Sequence, residues 1–135
     1  MQDVAQAVEL FVVLNLIVIG VSHIIAHQAW GEFFEKLVAL GRTGAFANGL
    51  LTLVPGSMIV GFHLVWSGIP LIITLLGCCW MIKSFVILVF PDYGVRSMKR
   101  VDTQTSKRLI IPGVVMLVIS ALVLWDMMTT SAAVT

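Results

Sequence analysis

Three histidines, two intramembrane acids and one intramembrane lysine are the residues of this chain with types and spacing suited to chemistry. His23 and His27 stand four residues apart, which puts both imidazoles on one face of a helix and supplies half of a metal site. Completing it would take Glu32 or Glu35, or a second copy of the chain. Glu9 and His63 are the second pair: an acid and an imidazole in apolar surroundings could share a proton, form a polar clasp, or line a proton- or ligand-binding pocket with Trp66 and Asp126. Lys83 is the third feature, within snorkelling reach of headgroups or of an inner pocket shared with His23, His27 and Asn48.

Whether any of these groups meet depends on the elements that carry them. Of 135 residues, 59% are hydrophobic and 11% charged, against about a quarter charged in water-soluble domains. The chain therefore belongs in a membrane, and nucleic-acid binding is excluded as an improbable use of it. A spanning helix needs about 20 apolar residues, and four stretches qualify: Val4 to Ala26, Gly44 to Trp66, Ile69 to Phe90, and Leu109 to Met128. Runs of this length can satisfy their backbone in lipid only as helices. The expected fold is all-α, a single polytopic four-helix domain over residues 1–135.

Turn chemistry marks the joints. Ser67-Gly68-Ile69-Pro70 forms a tight turn with proline in the first turn of the third spanning helix, and Pro91-Asp92-Tyr93-Gly94 ends that helix in another. Between the first and second spans, Gln28 to Thr43 places Trp30, Phe33, Phe34 and Leu37 on one side and Glu32, Glu35 and Lys36 on the other. That pattern predicts a short amphipathic helix in the interface, with Glu32 and Lys36 paired at i, i+4. In the second span Ala45, Gly49, Thr52 and Gly56 share a face suited to close helix packing, while Pro55 should free the Leu51 carbonyl and bend the helix.

Basic residues orient the bundle. Lys36 and Arg42 fall in the first connection and Arg96, Lys99, Arg100, Lys107 and Arg108 in the third, with none in the second. The positive-inside rule assigns those two loops to the cytoplasm and both termini to the outside of the plasma (inner) membrane. Asp3 precedes the first span with no Lys or Arg before it, so a cleaved signal peptide is not expected. The five basic residues of the third connection are candidates for contact with anionic headgroups or a partner.

Depth then sorts the chemistry. Glu9 and His63 belong near the outer rim, whereas His23 lies about 20–30 Å away near the inner one, at about 1.5 Å per helical residue. His63 cannot complete a site with His23 and His27, and haem bridging the helices fails for the same reason; no metal and no other cofactor is expected. No Ser/His/acid set falls at one depth, and the adjacent Cys78 and Cys79 read as packing residues. In length, helix count and an acid in the first helix the chain resembles the small multidrug-resistance transporters. Glu9 lies nearer the outer end than that likeness requires, and no further pattern aligns.

Three functions remain, in this order: a non-enzymatic bundle serving as an accessory or oligomer-forming membrane subunit, a small proton- or ion-linked transporter working as a homodimer, and a membrane enzyme or metal-binding protein using His23 and His27. Glu9 is expected to contact His63; a pocket reaching that pair would favour transport, a large apolar face without a pocket the subunit, and His23, His27 and a glutamate within coordination distance the enzyme.

Overall fold

A computed structural model describes residues 2–134; the Asp3 side chain lies outside the described set. Six α-helices run in the order α1 (Gln2–Ile25), α2 (His27–Ala39), α3 (Arg42–Phe62), α4 (Leu71–Val89), α5 (Pro91–Met98) and α6 (Ile110–Val134), with a 3-10 turn over Ser106–Leu109 before α6. Four of them, α1, α3, α4 and α6, are long and apolar enough to cross a membrane. The protein is an all-α integral membrane bundle.

The spanning helices pack as two pairs, α1 with α6 and α3 with α4. Small residues set both crossings. Gly49 faces Leu88 and Ile87, and Gly56 faces Trp80 and Met81, so the stripe expected on the second span does bring α3 onto α4. A Thr52–Ser84 hydroxyl bond of 2.8 Å ties the same crossing. The second crossing depends on Gly20 and Gly113, whose backbones meet so closely that a Cβ on Gly113 would lie 2.8 Å from the Gly20 carbonyl oxygen. The bundle is therefore not centred on α3 alone.

Two apolar clusters fill it. Val8, Val12, Val13 and Leu16 of α1 meet Ile59, Ile73 and Val123 toward one end. Toward the other, Leu37 of α2 packs with Ala45, Ile87 and Met98. Because α2 contacts α3, α5 and the 3-10 turn, the first and third connections gather at one end, and the His63–Pro70 segment lies at the other with Glu9.

Three local expectations need correction. The second spanning helix stops at Phe62 rather than Trp66: His63 leaves helical geometry at φ −137°, ψ 72° and the chain runs extended to Trp66. Gly68 then takes φ +69°, open to glycine, and Pro70 leads into α4. Pro91-Asp92-Tyr93-Gly94 does not simply turn; it opens α5 with proline at the first position, where a missing N–H costs nothing. The expected Glu32–Lys36 ion pair is not among those formed by the described residues. The amphipathic segment itself forms as α2, set off from α1 by a break at Ala26 (φ −106°, ψ 32°).

Candidate functional site

At the end away from the basic loops, the break in α3 is what builds the polar site. Leaving the helix turns His63 inward, fully buried, and places its Nε2 2.9 Å from Oε1 of Glu9 on α1. Its Nδ1 lies 3.2 Å from the Thr74 hydroxyl of α4. That hydroxyl also receives the Val65 N–H at 3.2 Å and faces the Val65 and His63 carbonyls at 2.9 and 3.1 Å. A hydroxyl has one hydrogen and two acceptor sites. Thr74 accepts from Val65 N–H, and its one hydrogen goes to a carbonyl or to Nδ1 of His63, so its hydrogen bonding is met within the fold.

Glu9 and His63 thus meet each other rather than hydrocarbon, which is how a membrane interior tolerates two ionisable groups. Three elements are thereby joined through one imidazole. An acid, an imidazole and a hydroxyl do sit at one depth, though the hydroxyl is a threonine's and not the serine of the excluded Ser/His/acid set. The Thr74 hydroxyl is buried and bonded within the fold.

The other proposed members of this outer cluster do not join it. Trp66 is exposed on the extended segment. Asp126 is half-buried on α6, and among the described residues its carboxylate bonds neither Glu9 nor His63.

The inner set separates into two places. His23, buried, donates Nδ1–H to the Ile19 carbonyl at 2.8 Å and stacks on Trp30 with ring centroids 4.3 Å apart. Trp30 in turn donates to the Ser22 hydroxyl at 2.8 Å. His27 faces the Ser106 hydroxyl at 3.2 Å; since Ser106 donates to the Thr103 carbonyl, it accepts from His27 Nδ1–H. These histidines thus hold the α1–α2 corner and dock it on the loop before α6. Lys83 stands elsewhere, beside Tyr93 and Ser97 in a cavity of about 420 Å³ between α4 and α5. Asn48 is buried on α3 and bonds none of the other three among the described residues. No three His, Cys, Asp or Glu side chains among the described residues form a ligand set, and both glutamates once available to the histidines point to other work or to solvent.

Glu35 shows that work. Its carboxylate accepts from the Thr103 hydroxyl and from Thr103 N–H at 2.8 Å, which fastens α2 to the third connection. Asp102 accepts from Thr105 N–H and Oγ1, both at 2.7 Å, and so starts the 3-10 turn. Asp92 takes Arg42 in a two-pronged pair at 2.9 and 3.0 Å. Arg96, Lys99, Arg100, Lys107 and Arg108 remain exposed, and none of them pairs with an acid among the described residues.

A pH dependence is built into this end. Thr103 holds the Glu35 carboxyl below its usual range, Arg42 does so for Asp92, and Thr105 for Asp102. Groups with depressed folded pKa values contribute above the unfolded value, about 4, and lose that contribution as pH falls through the folded ones. Amide exchange corrected for its intrinsic pH dependence should show Thr103 and Thr105 protected at pH 6 and released below about pH 4. Protection that persists once the Glu35 and Asp102 carboxyls are protonated, followed by their infrared carboxyl stretch, would contradict these carboxylate bonds.

One opening lies between the helix pairs. Phe11, Asn15 and Ile19 of α1 face Leu51, Val54 and Pro55 of α3 across a lateral cavity of about 700 Å³, closed at the inner end by Phe33 and Leu37 and floored by Trp80. Its lining includes neither Glu9 nor His63. Asn15 escaped the sequence reading, although an amide midway along an apolar run was itself the signal. One of its N–H groups returns to the Phe11 carbonyl at 2.8 Å. Its carbonyl and second N–H have no partner within the described chain and stand exposed in the groove. No family profile, curated protein or solved structure matches the chain.

Proposed function

We propose that this integral membrane protein is a non-enzymatic subunit that works by assembling with another membrane chain, its basic end in the cytoplasm and both termini outside the plasma membrane. One observation carries the reading: Glu9 and His63, the ionisable pair buried in the bundle, are consumed in holding helices together, while Asn15, with hydrogen-bonding groups left unmet among the described residues, faces a large lateral groove. A transporter would need the reverse, an accessible proton site. Here His63 has no exposed surface and Glu9 only 6%.

Sidedness is supported by the gathering of the basic connections at one end. Arg96, Lys99, Arg100, Lys107 and Arg108, exposed and unpaired, suit anionic headgroups at about 1 kcal/mol for each residue near the surface. Glu35, Asp102 and Arg42 brace the loops that present them.

Particle mass in lipid nanodiscs, prepared directly from membranes, tests the assembly. A particle with at least two protein chains is expected. A lone chain of 14.7 kDa under all mild extraction conditions would end the proposal.

A further inference from the structure

We infer that the occupant of the α1–α3 groove is a second copy of this chain, related by a two-fold axis along the membrane normal, with the two Asn15 amides hydrogen-bonded to each other. The inference rests on the subunit reading and names its partner.

Depth selects the occupant. Asn15 lies near the middle of α1, so its free carbonyl and N–H stand near the bilayer centre. A partner must offer both an acceptor and a donor at that depth. A lipid acyl chain would cover the apolar walls but brings neither, since its polar atoms stay at the interface. Membrane proteins of fixed topology all insert the same way, so a second copy related by a two-fold axis presents its own Asn15 at an identical depth. An amide is also self-complementary, each giving an N–H to the other's carbonyl. Unmet groups of this kind are costly in hydrocarbon.

Shape agrees with an isologous contact, in which the same patch serves both partners. Phe11, Leu14 and Val18 are exposed on α1 around Asn15, as are Leu51 and Val54 on the facing α3 wall. The α1 ridge of one copy can therefore enter the groove of the other, and reciprocally. Pro55, which has no N–H to give the Leu51 carbonyl, lies on the same wall.

Cross-linking in native membranes tests this with Asn15 left in place. In a chain with Cys78→Ala and Cys79→Ala, Val18→Cys should form disulfide-linked dimers on mild oxidation, whereas Leu122→Cys, exposed on α6, should not. Adding Asn15→Leu should lower the Val18→Cys dimer yield about 5–30-fold, and Asn15→Gln, which keeps the amide, should preserve most of it. Asn15 is exposed, so helicity by circular dichroism should not change in either variant. Equal cross-linking from positions 18 and 122, or no effect of Asn15→Leu, would overturn the inference. So would capture of a different chain by a photo-reactive group at position 18; that result would leave the subunit proposal standing, whereas a single-chain nanodisc particle would remove both.

Discussion

Glu9→Leu should destabilise the folded bundle, and His63→Leu should do so by a similar amount, because either change leaves one polar group buried without its partner. The expected cost is about 1–3 kcal/mol, the desolvation of an unsatisfied buried group. The double variant Glu9→Leu/His63→Leu should recover much of that loss, since two apolar side chains need nothing from each other, giving a coupling of about 0.5–3 kcal/mol. Glu9→Gln is the informative fourth member. The Gln amide can donate its N–H to Nε2 or accept from Nε2–H, so it fits either tautomer of the His63 ring. Gln should therefore stay near the parent protein in thermal unfolding in detergent. Strict additivity of the two Leu changes would mean that the clasp does not join α1 to α3 as the distances indicate.

A second large effect belongs to the α1–α6 crossing. A Cβ on Gly113 would meet the Gly20 carbonyl oxygen at 2.8 Å and His23 Cβ at 2.9 Å, and one on Gly20 would meet the Gly113 carbonyl oxygen at 2.9 Å. Two of these three neighbours are backbone oxygens, which cannot swing aside. Gly113→Val should force the helices apart and cost about 1–3 kcal/mol or more. Gly61 is the internal control: nothing lies within 4 Å of a Cβ there, so Gly61→Ala should be neutral or slightly stabilising for a helical position. The readout is again thermal unfolding, with His23–Trp30 stacking followed by tryptophan fluorescence. Equal tolerance at positions 61 and 113 would contradict the close crossing.

What was legible in the sequence was governed by the membrane. Runs of apolar residues and the placement of Lys and Arg sufficed for four spans, for the amphipathic α2, and for the depth argument that put Glu9 opposite His63. Hydrocarbon makes those patterns nearly obligatory, because each violation is expensive. Interactions that compete locally were less visible. Nothing in the run from Gly44 to Trp66 announces that the chain will leave the helix at His63; the reason lies in Thr74, far along the sequence, whose hydroxyl holds Val65 and His63. Pro91 reads equally as a stop for one helix or a start for the next, and α5 takes the second option.

Pairing of helices was hidden for a different reason. The small residues of α3 form a recognisable stripe, whereas Gly20 and Gly113 are single glycines on two helices and matter only because the fold brings them together. The inner polar cluster failed on azimuth rather than depth: His23 and Lys83 are both toward the inner end, yet one faces Trp30 and the other faces α5. Depth can be read from spacing along one helix. Rotation about each helix axis depends on its neighbours.

The proposed orientation has four crossings, with the His63–Pro70 segment outside and the basic connections inside. Single-cysteine labelling measures this directly, in a chain with Cys78→Ala and Cys79→Ala carrying either Ser67→Cys or Gln104→Cys, both exposed positions. A membrane-impermeant maleimide applied to intact cells should label position 67 at once and position 104 only after the membrane is opened. Labelling of 104 in intact cells with 67 protected would invert the orientation, and labelling of both from one side would contradict the four-helix topology itself.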